Sequence, residues 1–263
     1  MRIVILKDDL AVAEFGANYI IEAINKKPNT VLGLATGSTP IKLYEKMMFA
    51  NQKKRVCFKK VTTFNLDEYL GLAVGHPQSY RYFMDHHFFN HIDIAKENTF
   101  VPNGASDDPI SDCSHYERNL REKGGVDLQL LGIGSNGHIG FNEPGSSLAS
   151  RTRITVLSKE TISANKRFFS LGESQPHLSI TMGIGTILES REIMLIATGK
   201  NKAEAIKNTI EGPVSSSCPA SILQMHPYAT IVMDEEAAKS LRDIEFYKYT
   251  ELESQKFMLS QYK

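Results

Sequence analysis

Residues 126–147, VDLQLLGIGSNGHIGFNEPGSS, decide how this chain is read. The run starts as an almost unbroken apolar stretch through Ile133, the pattern of a strand buried on both faces. It then places Gly132, Gly134, Gly137, Gly140 and Gly145 around His138 and Glu143, a composition that neither helix nor strand favours. Glycine serves where backbone takes a positive φ or lies close against another group. A glycine-rich loop carrying one imidazole and one carboxylate at the end of a buried strand is a candidate site, because open parallel sheets bind ligands beyond the carboxyl ends of their strands.

Outward from this segment, further apolar runs predict strands at 3–6, 30–35, 61–66, 127–133, 178–182, 193–198 and 229–233. Helical spacing marks 11–25, 40–48, 79–90, 112–123 and 202–210, and 246–262 reads as a peripheral helix. Such alternation predicts an α/β fold: an open, mostly parallel sheet with helices on both faces, a Rossmann-like three-layer sandwich. No linker or repeat divides the sequence, so residues 1–263 are expected to form a single domain. The polar stretch 158–176 is a candidate lid over the site.

Bulk properties limit the partners. Lys plus Arg and Asp plus Glu each number 30, giving zero formal net charge and no overall field that favours nucleic acid or an anionic membrane. Cys57, Cys113 and Cys218 contain no C-x-x-C pair, which argues against a disulfide framework or thiolate metal site and for a reducing, cytoplasmic setting. The amino-terminal MRIVILKDDL reaches charge too soon for a signal-peptide core, and no apolar run approaches the length of a membrane span.

Four other segments bear on chemistry. After the strand at 30–35 come Thr36, Gly37, Ser38, Thr39 and Pro40, an outline of a phosphate cradle in which free N–H groups and hydroxyls meet an anion; the same residues could instead cap a helix. Thr198 and Gly199 repeat the device, and Lys200 and Lys202 sit at the next helix start, where a cation needs an anionic partner. With no G-x-x-x-x-G-K-[ST] in the chain, a sugar phosphate suits these loops better than ATP. Asp67 and Glu68 follow the strand at 61–66; neighbours on extended backbone face opposite ways, so one enters a site, Asp67 by preference, while the other caps or pairs.

His87 and His91 have the i, i+4 spacing of a helical metal pair beside Asp85 and His86, but no third ligand is evident and no metal is expected. Gly132, Gly134 and Gly137 spell G-x-G-x-x-G. Gly140, Pro144 and Gly145 then break the chain where a dinucleotide fingerprint needs a helix, so no nicotinamide cofactor is expected. His138 and Glu143 remain as an imidazole–carboxylate pair suited to acid–base work.

Four segments, LGLATGSTP, TFNLDEYLGL, LGIGSNGHIGFNEPGSSLASRTR and TGKNKA, resemble the glucosamine-6-phosphate deaminase family in the same order along nearly the whole chain. The resemblance implies conversion of glucosamine 6-phosphate and water to fructose 6-phosphate and ammonia, without metal or redox cofactor, with a small-molecule sugar phosphate as the partner and homo-oligomerisation left open. By resemblance, Asp67 is the base that moves a proton between C1 and C2. His138 is the ring-opening catalyst and Glu143 the carboxylate assisting it. Gly37, Ser38, Thr39, Arg167 and Lys202 fall on phosphate-binding positions.

Two departures accompany the match. Some members carry aspartate two residues before the histidine, where this chain has Asn136, which can orient an imidazole but cannot stabilise its cation with charge. Some members are hexamers activated by N-acetylglucosamine 6-phosphate. Ser146, Ser147 and Arg153 match that activator site, but Thr155 and Val156 replace its lysine and threonine, which implies weak or absent activation. The alternatives are a 6-phosphogluconolactonase-like hydrolase, a deaminase for galactosamine 6-phosphate, which differs at one hydroxyl, and a non-catalytic sugar-phosphate sensor; the DEY and NGHIGFNEP segments favour the deaminase over the hydrolase.

Overall fold

Apolar runs and amphipathic stretches take turns along the chain, and the computed structural model, which describes residues 1–166, 169 and 174–261, matches that alternation. Its first elements are β1 (Arg2–Leu6), α1 (Asp9–Lys26), β2 (Val31–Leu34), α2 (Ile41–Gln52) and β3 (Thr62–Asn65). Next come β4 (Asp67–Tyr69), α3 (Tyr80–His87), β5 (Thr99–Phe100), α4 (Pro109–Glu122) and β6 (Leu128–Leu131). Then the chain forms β7 (Arg153–Val156), α5 (Lys159–Asn165), β8 (Leu178–Thr181), α6 (Ile184–Leu188) and β9 (Glu192–Ala197). α7 (Ala203–Ile210), β10 (Ala229–Asp234), α8 (Glu235–Ala238) and α9 (Ile244–Gln261) complete the fold.

Seven strands form one parallel sheet in the order β1-β10-β9-β6-β2-β3-β5. The chain runs outward from β2 through β3 to β5 on one side, and from β6 through β9 to β10 on the other. Between β2 and β6 lies a topological switch point, where loops from neighbouring strands diverge and leave a crevice. Successive side chains of β6 alternate between two apolar layers. Leu128 and Leu130 pack with Ile20 of α1, Leu43 and Met47 of α2 and Met84 of α3. Leu131 joins Leu120 of α4 and Ile206 and Ile210 of α7 on the opposite face. Burying each such side chain contributes about 1.5–3 kcal/mol, and cover on both faces lets the strands be apolar throughout.

The expected strand at 178–182 does form, but outside the main sheet. β8 pairs antiparallel with β4 and β7 in a three-stranded sheet of order β4-β8-β7. Its sequence, LSIT, alternates apolar and polar residues, the pattern of an antiparallel strand rather than the continuous run of a doubly covered parallel one. This small sheet holds the chain just beyond β3 against the chain leaving the glycine loop: Asp67 and Arg153 both stand opposite Thr181. Among the described residues, no helix is long and apolar enough to cross a membrane.

Candidate active site

The glycine loop leaves β6 at the centre of the sheet and folds back on itself. Gly134 N donates to His138 O at 2.9 Å, Gly137 N to Gly134 O at 3.1 Å, and Ala220 N pins Gly137 O at 2.9 Å. A Cβ at position 134 would stand 2.2 Å from His138 Cε1, so only glycine lets the imidazole lie over this backbone. Gly140 takes φ +56°, and a Cβ there would come within 3.3 Å of Asp67 Oδ2 and 3.0 Å of Thr181 Oγ1. Gly132 departs from expectation: its φ is not positive and nothing lies within 4 Å of its open side, which faces the cavity.

Glu143 is the most heavily bonded group of the loop. Oε2 accepts from Asn136 Nδ2 at 2.9 Å and stands 3.5 Å from His138 Nδ1, longer than an ordinary hydrogen bond and an ion pair only when the imidazole is protonated. Oε1 accepts from the Thr161 hydroxyl and from Ser158 N at 3.3 Å. Burial alone would push this carboxyl up; the facing His138, Thr161 and Asn136 outweigh it and hold the group down to about 2. Asn136 has its own anchor, since its Oδ1 accepts from His138 N at 3.2 Å. One asparagine thus ties the Glu143 carboxylate to the backbone that carries His138.

Asp67 and Glu68 divide as extended backbone requires. Glu68 turns away from the cavity and accepts from Tyr69 N and Tyr80 N through Oε1, at 2.9 and 2.8 Å, and from Arg81 N through Oε2 at 2.9 Å. It thereby joins the Ser79 hydroxyl in satisfying the amino-terminal N–H groups of α3. Asp67 points the other way and lines the cavity. Burial, reinforced by the neighbouring Glu68 charge, pushes Asp67 up to about 8. Glu68 rises only to about 7, because its three backbone donors offset part of the cost of burial.

The loops after β2 and β9 reach the same crevice from either side of β6. Gly37, with φ +104°, and Ser38, Thr39, Asn201 and Lys202 line one cavity with Asp67, Asn136 and His138; its volume is about 370 Å³. Pro40 occupies the N-cap of α2, which starts at Ile41, one residue later than expected, and no side chain caps that helix. The hydroxyls of Ser38 and Thr39 are therefore not spent on capping. Lys202 closes a 3₁₀ turn, Lys200–Lys202, ahead of α7, while Lys200 is exposed and outside the cavity lining.

Other expected positions fall elsewhere. Arg167 lies outside the described residues, as do positions 168 and 170–173 of the candidate lid. Arg153 donates to Asn142 Oδ1 at 2.8 Å and to Ser146 Oγ at 3.1 Å, and Ser147 Oγ accepts from Ala149 N at 3.3 Å. Neither the serines nor Arg153 lines the cavity. His91 Nε2 bonds the His86 carbonyl at 2.8 Å, and among the described residues no group of three or more His, Cys, Asp or Glu is placed to hold a metal.

Sequence reasoning missed Tyr80, Glu160, Thr161, Asn165 and Asn201, which also line the cavity. Thr161 carried a faint signal: Ser158 and Thr161 are spaced as an N-cap and its third helical residue, and Ser158 Oγ does accept from Thr161 N at 3.1 Å.

The sequence pattern of the glucosamine-6-phosphate isomerases/6-phosphogluconolactonase family matches residues 9–232. A glucosamine-6-phosphate deaminase of Cellvibrio japonicus is 59% identical over 258 residues, 98% of each chain. One of Shewanella halifaxensis is 60% identical over 258 residues, again 98% of each. Among solved structures, a monomeric glucosamine-6-phosphate deaminase superposes with a TM-score of 0.89 at 43% identity, covering 91% of this chain and 100% of that one. The strand order, the crevice and these likenesses along the whole chain agree: the chain belongs to the glucosamine-6-phosphate isomerase/6-phosphogluconolactonase family.

Proposed function

We propose that this protein converts glucosamine 6-phosphate and water to fructose 6-phosphate and ammonia. The observation that carries the reading is the convergence of three devices on one cavity: the Gly37–Ser38–Thr39 cradle with Lys202, His138 backed by Glu143, and Asp67. The phosphate sits against the cradle, with Lys202 supplying positive charge; Arg167 joins this set by resemblance alone. His138 moves a proton from the anomeric hydroxyl to the ring oxygen, and the ionised Glu143 stabilises the imidazolium formed on the way. Asn136 keeps both groups in register.

In the open chain, Asp67 takes the proton from C2 and returns one to C1, while O1 gains a proton and the amine nitrogen loses one, turning the aldehyde carbon into a hydroxymethyl group and C2 into an imine. Water adds to the imine, ammonia leaves, and a ketone remains. The sequence is redox-neutral and consists of proton transfers and one hydrolysis, so its chemistry calls for no hydride acceptor. A carboxylate whose affinity for protons lies near the working pH is an effective base, and burial brings Asp67 there, at about 8.

Thr155 and Val156 in the activator positions support a reading without activation by N-acetylglucosamine 6-phosphate, in which rate curves are hyperbolic with or without that ligand. The three unpaired cysteines support work in the reducing cytoplasm. We read residues 1–263 as one catalytic domain.

The test is to incubate purified protein with glucosamine 6-phosphate and measure ammonia and fructose 6-phosphate together; equal amounts of both are expected. Binding without release would favour a sensor, and turnover of 6-phosphogluconolactone in its place would favour the hydrolase.

A further inference from the structure

Glu143 joins two segments that are separate in sequence. Oε2 faces the glycine loop, through Asn136 and His138, and Oε1 faces α5, through the Thr161 hydroxyl and Ser158 N. A carboxylate turns about its Cγ–Cδ bond, and the Asn136 contact on Oε2 does not fix the plane. An anchor on the other oxygen does.

We propose that Thr161 is a positioning residue for ring opening: its hydroxyl holds Oε1 of Glu143 so that Oε2 stays turned toward His138. The inference rests on the deaminase reading and deepens it. Thr161 is buried, and the Ser158 hydroxyl donates to Thr161 Oγ1 at 3.0 Å. That leaves the Thr161 proton for Glu143 and gives a directed chain, Ser158 to Thr161 to Glu143, in which each bond polarises the next.

The β-branched side chain of threonine restricts χ1, so the position of its hydroxyl is set by the seating of α5. That seating is specific. Asn165 Nδ2 donates to Tyr69 Oη at 2.9 Å, and Ile162 packs on the cluster of Tyr69, Leu72, Phe141 and Leu157. Thr161 thus transmits the docking of α5 to the ring-opening carboxylate without itself exchanging a proton with the sugar.

Four variants test this on glucosamine 6-phosphate: Thr161→Val, Thr161→Ser, Glu143→Gln and the double variant Glu143→Gln with Thr161→Val. Thr161→Val should lower kcat roughly tenfold or more, the worth of one hydrogen bond to a charged group, with KM little changed because the phosphate loops are untouched. Thr161→Ser should restore most of the rate. On the Glu143→Gln background, Thr161→Val should cost less than about twofold, since residues acting through one another are not additive.

Unchanged kcat in Thr161→Val, absence of rescue by serine, or losses that multiply in the double variant would each overturn the proposal. If the wild-type protein does not turn over the sugar, the deaminase reading fails, and Thr161 is then judged by the carboxyl carbon signal of Glu143 on pH titration. A rise of about one unit in Thr161→Val supports the role; coincident curves overturn it.

Discussion

Asp67 and Glu143 are two buried carboxylates serving one crevice, and their surroundings drive them in opposite directions. Asp67 opens β4, just beyond β3, buried with a second carboxylate as its neighbour, and is pushed up to about 8. Glu143 sits in the glycine loop with donors on both oxygens and is held down to about 2. Both residues are buried, at 6% and 8% exposure, and burial pushes each carboxyl up. At Asp67 the neighbouring Glu68 charge adds to burial, whereas at Glu143 the facing imidazole and the Thr161 and Asn136 donors outweigh it. One environment makes a carboxyl that readily takes a proton, and the other makes a permanent anion.

Removing the base should break the comparison most severely. Asp67→Asn is expected to lower kcat by about 10²–10⁴-fold while the sugar phosphate still binds; activity within threefold or so of wild type would remove Asp67 from its role. Glu143→Gln comes next, at about 10²-fold in turnover of the cyclic substrate, measured as ammonia release.

Asn136→Asp sharpens the contrast by replacing a donor to Glu143 with a like charge. Asn136 Nδ2 now lies 2.9 Å from Oε2, and two carboxylates at that distance share a proton, so the upper apparent pKa of the pair moves toward neutrality. The variant should lose about tenfold in kcat/KM near pH 5 relative to wild type, with less loss near pH 8. Superposable pH profiles would show that Asn136 does not hold Glu143 ionised.

The smallest effect is on stability, and its sign differs between the two sites. The folded-state pKa of Asp67 lies above its unfolded value of 3.8, so its favourable contribution is complete below that value and lost as pH rises through about 8. Glu143 contributes stability above its unfolded value of 4.5, and this is lost as pH falls through about 2. Near pH 9, Asp67→Asn should therefore raise Tm by a few degrees, whereas at pH 7 Glu143→Gln should lower it, at roughly 2–4 °C per kcal/mol for a chain of this size. Thermal unfolding of both variants across pH checks the pair of signs.

Much of this arrangement was legible in the sequence because it lies in short local patterns. The buried run through β6 and the glycines around His138 and Glu143 announce a strand end and a site. The alternation of neighbours on extended backbone is enough to separate Asp67 from Glu68. Other features depend on pairings that local patterns do not contain. SKETI reads as an ordinary surface helix start, and nothing in it reveals that Thr161 meets a carboxylate 18 residues earlier. Strand β8 was visible as a strand, but its partners β4 and β7 are three and four residues long, too short for periodicity to mark, so its removal from the main sheet was not. The Ser38 and Thr39 hydroxyls are ambiguous between capping and ligand binding in the sequence, and the placement of Pro40 at the N-cap removes the capping role.

The most direct test of the partition is a carbon-13 NMR titration of the side-chain carboxyls of Asp67 and Glu143 in the wild-type protein. The account predicts that Asp67 titrates near 8 and that Glu143 stays ionised down to about 2. Both groups titrating together near the ordinary carboxylate value of about 4 would contradict it.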